Sequence, residues 1–304
     1  MLKIQYLPYV QIDKLKWDAC ITHAANGLIY AASFYLDCMA KNWDALVLGD
    51  YEVVMPLTFN KKYGVYYLYQ PFFMASLGIF GNNISADLAD DFLQHIPEKF
   101  KYFDIYLNHQ NRFKLQHFNL YERMNYVLPL QENYEGIYSR YRDNIKRNIK
   151  KSIQLQVTIK QNIPIESVLL LATEQSRTFS QIEAIHFEHF KKVFDFFYTQ
   201  NKATTYGVYT PNGHLISSCA FLFSNNRAYY ILVGNHPDSK AFGASHALIN
   251  AFIKDNAGKN LLLDFEGSDI PSLAFFYSSF GALEEKYTGL KLNRLPIWMK
   301  WFKN

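Results

Sequence analysis

The chain has 304 residues, enough for one or two domains that each bury a core, and at 49% hydrophobic and 17% aromatic it is not a disordered or low-complexity protein. Its formal charge of +4 is too mild to argue by itself for nucleic-acid or membrane binding. Three cysteines, Cys20, Cys38 and Cys219, show no C-x-x-C spacing, so neither a disulfide framework nor a zinc motif is indicated; they read as buried thiols in a reducing compartment. No signal-peptide core and no apolar run near the ~18 residues needed to span a bilayer is present, so a cytoplasmic location is expected.

In chain order, residues 13–24 and 33–41 read as two short helices separated by the turn signal Asn26-Gly27. Residues 44–48 and 52–57 read as a hairpin around Gly49-Asp50, and Val65-Tyr-Tyr-Leu-Tyr69 as a third strand. An irregular loop over 72–83 leads to a helix that Ser85 is suited to cap and that is expected to reach about Phe100. Residues 102–107 and 126–130 are expected to be extended.

The second half repeats this order: helices at about 164–179 and 186–201, then strands over 205–209, 214–223 and from Ala228. Ala228-Tyr-Tyr-Ile-Leu-Val233 is apolar and rich in aromatic and β-branched residues, as in a buried strand. Helical spacing from Gly243 to Ile253 and the apolar run Leu261-Leu-Leu-Asp-Phe265 complete a strand, helix, strand unit, which implies a parallel pair with a right-handed crossover. An aromatic helix from Ser272 to Phe280 breaks at Gly281, and residues 286–292 form a last extended run. The pattern is that of two copies of one α/β domain with mixed sheets. The division expected is 1–135 for the first copy, 136–153 for a linker and 154–304 for the second.

The linker reads as one amphipathic helix from Tyr138 to Ser152. Tyr141, Ile145, Ile149 and Ile153 recur every four residues as an apolar stripe, while Arg140, Arg142, Lys146, Arg147, Lys150 and Lys151 take the remaining faces. Such a density of like charge on one helix is repulsive without an anionic partner, so this face is a candidate for phosphate groups; a plain solvated helix between domains is the alternative.

With these motifs in view, the second half resembles the GNAT acyltransferase superfamily. Phe276-Tyr277-Ser-Ser-Phe-Gly281-Ala282 is similar to its F/L-Y-x-x-x-G-F/A signature, and Lys240-Ala-Phe-Gly243-Ala-Ser245 stands where its pyrophosphate loop R/Q-x-x-G-x-G/A would be. The whole-chain pattern, with the basic run at 142–151 and Leu263-Asp-Phe-Glu-Gly-Ser268, resembles the Fem-type peptidoglycan aminoacyltransferases. This resemblance implies two tandem GNAT-like folds, acceptor binding in the first and donor binding in the second. The lysine pair that Fem-type enzymes usually carry before the last Phe-Gly is replaced here by Tyr277 and Ser278.

Acyl transfer to an amine needs a base, an oxyanion donor and an acid for the leaving group. Tyr277 matches the position of the GNAT proton donor, and its hydroxyl is expected to face a cleft beside Val233 and Gly234. Glu266, at the carboxyl end of a buried strand, is the candidate base, whereas Asp264 within that strand reads as structural. Val233, Gly234, Lys240, Gly243, Ala244 and Ser245 are candidates for holding acyl-CoA, because small residues at a helix amino end let backbone N–H groups reach phosphates. Arg142, Lys146, Arg147 and Lys150 are candidates for a tRNA or a nucleotide-linked cell-wall precursor. No metal-ligand spacing is present.

Two readings stay open. One is an N-acyltransferase that moves an acyl or aminoacyl group from a thioester or tRNA-borne donor to the amine of a small molecule or peptide. The other is an inactive GNAT-fold protein that only binds a ligand or partner, a choice that an open or an aromatic-filled pocket between Val233 and Tyr277 would decide. A homodimer is compatible with either.

Overall fold

Local sequence signals set some of the element ends in the computed structural model, which describes residues 2–115, 118–177, 182–267 and 269–295. In chain order the elements are β1 (Ile4–Leu7), α1 (Lys14–His23), α2 (Ser33–Met39), β2 (Asn42–Leu48), β3 (Val53–Lys62), β4 (Val65–Tyr69), β5 (Phe80–Gly81), α3 (Ala86–Gln94), β6 (Phe100–Leu107) and β7 (Asn119–Pro129). They continue with α4 (Tyr134–Ser139), α5 (Asp143–Gln154), β8 (Thr158–Gln161), α6 (Ile165–Ser176), α7 (Ala184–Tyr198), β9 (Ala203–Tyr209), β10 (Leu215–Ser224) and β11 (Arg227–Asn235). The last are α8 (Ser239–Phe242), α9 (Ala244–Asn256), β12 (Leu262–Asp264), α10 (Pro271–Ser278) and β13 (Leu283–Asn293).

The chain forms two units, residues 1–123 with 286–304 and residues 124–285. In the first, the strand order is β1-β2-β3-β4-β6-β13, with the short β5 on β3. β4 and β6 pair in parallel, with α3 in the connection between them. In the second, the order is β8-β9-β10-β11-β12-β7, and β11 pairs in parallel with β12, with α9 in the connection. The orders correspond strand for strand. Two helices separate the first two strands in each unit, and each sixth strand runs antiparallel to its neighbour. The expected duplication is therefore present, with one feature absent from the sequence reading. The sixth strand of the first unit follows the second unit in sequence, and that of the second follows the first.

Each unit has its own core, around Phe92, Phe100, Phe103 and Leu290 in the first and around Tyr206, Phe221, Phe252 and Phe265 in the second. Asp13 caps α1 by accepting from the Leu15 and Lys16 N–H groups, and Ser85 caps α3 by accepting from Leu88. Five expectations need correction. The helix from Ser85 stops at Gln94, since Pro97 disfavours a helical residue before it and the strand begins at Phe100. The linker is two helices, because Arg142 is extended and donates its N–H to Ser279 O at 2.9 Å. Ile153 is 70% exposed: eight residues after Ile145 an α-helix has turned about 80° past whole turns, and the apolar stripe leaves the core. Strands β1 and β8 were not anticipated, each being only four residues long. Finally, only Cys219 is fully buried, Cys20 and Cys38 being half-buried, and all three thiols are free. The expected end of the helix at 164–179 and the motif residue Ser268 lie outside the described residues.

Candidate active site

In the second unit the ladder between β11 and β12 ends at Tyr229 and Asp264, while β11 runs on to Asn235 against β10. The His236 N–H returns to Ile216 O, whereas the Asn235 N–H points away from β10 and donates to Gln175 Oε1 at 2.7 Å. By the alternation of an antiparallel ladder, Val233 also turns its backbone N–H and C=O away from β10, beyond the last β11–β12 pair. The amino end of α9 adjoins this strand end. Ser245 Oγ donates to Asn235 Oδ1 at 2.7 Å, and Ser217 Oγ of β10 does the same at 2.7 Å. Asn235, which sequence reasoning passed over, thus ties β10, β11, α6 and α9 together. Asparagine in a polar Gly-Asn-His-Pro stretch gave no signal of that role.

The two glycines of the expected cofactor loop are explained by close packing. A Cβ on Gly234 would stand 2.6 Å from Ala172 N, so α6 crosses β11 at that point. Gly243 adopts a left-handed φ of 63°, and a Cβ there would stand 2.6 Å from Asn148 O of α5. Ala244 is buried, and Lys240 is exposed on α8.

Where the chain leaves β12, Glu266 and Gly267 both take positive φ, 67° and 81°. A buried polar network fixes that turn. Arg227 Nη1 donates to Asp264 Oδ2 at 2.6 Å and to Glu285 Oε2 at 2.9 Å, while its Nη2 donates to Glu285 Oε1 at 2.8 Å. Asn125 Nδ2 donates to Asp264 Oδ1 at 2.9 Å, and that same oxygen accepts the Glu266 N–H at 2.8 Å. Asp264 is structural, as its sequence position suggested, and it orients the backbone that presents Glu266.

Tyr277 lies on α10 and is 8% exposed. Its ring stacks on Phe265 with centroids 4.6 Å apart, and Phe276 and Tyr126 are at 5.6 and 6.5 Å. Burial, with a smaller contribution from the nearby Glu266 carboxylate, raises its pKa well above the usual phenol value. Its ring contacts are with residues at the end of β12, on β7 and on α10, and its phenol lies within electrostatic reach of Tyr230 on β11. The Glu266 carboxylate is near the same phenol.

His246, on the first turn of α9, was also missed. Its ring meets Phe276 edge-on at 4.9 Å and Phe280 at 6.5 Å, and burial pushes its pKa down to about 4, so the imidazole is neutral near pH 7. A lone histidine amid alanine and isoleucine gives no motif.

The basic helix α5 packs Ile145 and Ile149 inward and keeps Arg147, Lys150 and Lys151 exposed, with no ion-pair partner among the described residues. Arg142 lies over the Phe275 ring at 5.0 Å, and Lys146 Nζ donates to Ser139 O at 3.1 Å. The candidate residues therefore fall into three groups: the β11–α9 junction, the Tyr277–Glu266 pair and the α5 face.

No protein-family model and no curated protein matches the sequence. Among solved structures the chain is similar to FemX, with 12% identity, a TM-score of 0.66 and coverage of 93% of this chain and 96% of that one. It is also similar to a tandem GNAT protein from the clavulanic acid biosynthesis pathway, at 10% identity, TM-score 0.56 and coverage of 97% and 99%. L-PGS from Bacillus licheniformis matches at 9% identity, TM-score 0.52 and coverage of 86% and 87%. The chain thus has the tandem GNAT fold that these structures share. Among the described residues, no three His, Cys, Asp or Glu side chains gather to hold a metal ion, and no helix is long and apolar enough to cross a membrane.

Proposed function

We propose that this chain is a cytoplasmic N-acyltransferase that moves an aminoacyl group from a tRNA-borne donor to the amine of a small molecule or peptide, a nucleotide-linked cell-wall precursor being one such acceptor. The observation that supports this reading is the end of β11: past its pairing with β12, the backbone groups that Val233 turns away from β10 have no ladder partner among the described residues, which suits an extended ligand beside the amino end of α9. Arg142 at the start of α5 and Lys146, Arg147 and Lys150 along it supply phosphate contacts. The donor leans towards tRNA and away from acyl-CoA because α5 closes on Gly243, the glycine at which a pyrophosphate would approach.

In this reading the acceptor amine loses its proton to Glu266 and attacks the ester carbonyl. The tetrahedral oxyanion is held by backbone N–H groups, and the departing ribose oxygen takes a proton from Tyr277, whose raised pKa keeps it protonated. One observation favours the non-catalytic alternative: Phe265, Phe276 and Tyr126 crowd the Tyr277 ring.

The deciding experiment incubates the protein with tRNA bearing radiolabelled amino acids, and separately with acyl-CoA thioesters, against a panel of amines. Protein-dependent amide formation from aminoacyl-tRNA supports the reading. Transfer only from acyl-CoA moves the donor assignment to the thioester, and no transfer from either, with ligand still bound, leaves the binding role.

A further inference from the structure

A second site lies in the first unit, away from every residue assigned above. After β6 the chain forms a tight loop, Asn108-His-Gln-Asn-Arg112, at the carboxyl end of a parallel strand, where ligands gather in α/β sheets. Two fully buried asparagines anchor it. Asn108 Nδ2 donates to Asn26 O at 2.7 Å, and its Oδ1 accepts from the Gln110 N–H at 2.9 Å. Asn111 brackets Ile79, accepting its N–H at 2.9 Å and donating to its carbonyl at 2.9 Å. Burying two amides in a loop is costly unless their hydrogen bonds are met, and here all the bonds serve to fix one loop.

That loop ends in Arg112. Its Nη1 donates to His109 O at 2.6 Å and Asn111 O at 3.1 Å, which holds the guanidinium in place. The Nε and Nη2 donors have no partner among the described residues, and Arg112 lines an open cavity of about 460 Å³. Lys286 lines it too, paired with Glu122 at 3.0 Å, so the charged side chains of the lining leave one positive charge in excess. Its walls include Phe113, Tyr121 and Tyr287. Tyr121 is itself fixed, its hydroxyl donating to Asp104 Oδ1 at 2.9 Å and its ring lying against Gly289, where any side chain would collide with it.

We propose that this cavity binds a small anion carried on a flat ring, its carboxylate or phosphate held by Arg112 and Lys286 and its ring resting on Tyr121 and Phe113. A preset guanidinium with free donors suits either oxyanion, and the volume suits a compact ligand. The site stands independently of acyl transfer by the second unit.

The test titrates the full chain with phenyl phosphate, benzoate and the neutral benzyl alcohol by calorimetry. Saturable binding of one or both anions, at least tenfold tighter than benzyl alcohol, is expected. Arg112→Ala should weaken it at least tenfold, Lys286→Ala about threefold, and Arg112→Lys should restore only part. Tighter phenyl phosphate identifies a phosphate-bearing ligand, and tighter benzoate a carboxylate. No saturable binding of either anion, no preference over benzyl alcohol, or equal affinity in a folded Arg112→Ala protein would overturn the proposal. Both side chains are exposed, so the variants should fold, and unchanged melting temperatures would verify it.

Discussion

The ring of Tyr277 lies stacked on that of Phe265, 4.6 Å between centroids and 20° between planes, so the candidate proton donor is also part of the aromatic core. The two roles separate by substitution. Tyr277→Phe keeps the stack and should leave stability within about 1 kcal/mol, while lowering kcat with an aminoacyl donor by roughly 10², the scale of an acid–base contribution. Tyr277→Ala opens a cavity and should cost about 3–5 kcal/mol by urea denaturation. A Phe variant with full activity would leave Tyr277 with packing alone.

Arg227 stands between Asp264, with which it is buried, and the part-buried Glu285. Arg227→Met should destabilise the protein by about 3 kcal/mol, because Asp264 is left buried, and Glu285 part-buried, without their cation. Adding Asp264→Asn and Glu285→Gln should recover much of that loss. A single variant of near wild-type stability would show that water reaches the carboxylates freely.

His246 gives the expected pH dependence. Its pKa falls from 6.5 to about 4 on folding, so between those values the unfolded chain binds the extra proton. The stabilisation from the neutral imidazole is therefore complete above about pH 6.5 and is lost as pH falls towards 4, by about 1–3 kcal/mol. Urea midpoints at pH 7 and pH 4.5 should draw apart more for the wild type than for His246→Phe. Equal pH slopes would mean that the ring is solvated.

Charge reversal on α5 separates a binding face from a solvated one. Arg147→Glu with Lys150→Glu should weaken tRNA binding at least tenfold and reduce the dependence of log affinity on log salt by about 1–2. Both side chains are exposed, so circular dichroism and melting should not change. Affinity that is unaltered at low salt removes α5 from the donor site.

Much of the architecture was legible because periodicity and turn chemistry are local properties: the paired helices, the first hairpin and the parallel pair of the second unit followed from them. The break in the linker depended on a non-local fact, since Arg142 is extended and donates to a carbonyl more than a hundred residues away. The stop at Gln94 and the exposure of Ile153 have local causes, Pro97 and the drift of a helix over eight residues. Of the candidate site, Tyr277 and Glu266 were singled out through a motif and a strand end. Asn235 and His246 matter through partners that only tertiary structure supplies, and the anchored loop before Arg112 has no motif at all.

The exchange of sixth strands makes assembly depend on the order of synthesis. Until residues 286–293 have left the ribosome, β6 has no partner for the side on which residues 102–107 pair with β13. The first unit therefore waits as an open-edged sheet while the whole of the second is made, a contact of long sequence separation that slows folding and leaves a strand edge exposed to other chains. A fragment stopped near residue 285 would keep that edge permanently, and should be recovered as aggregate or in complex with a chaperone even though every residue of the second unit is present.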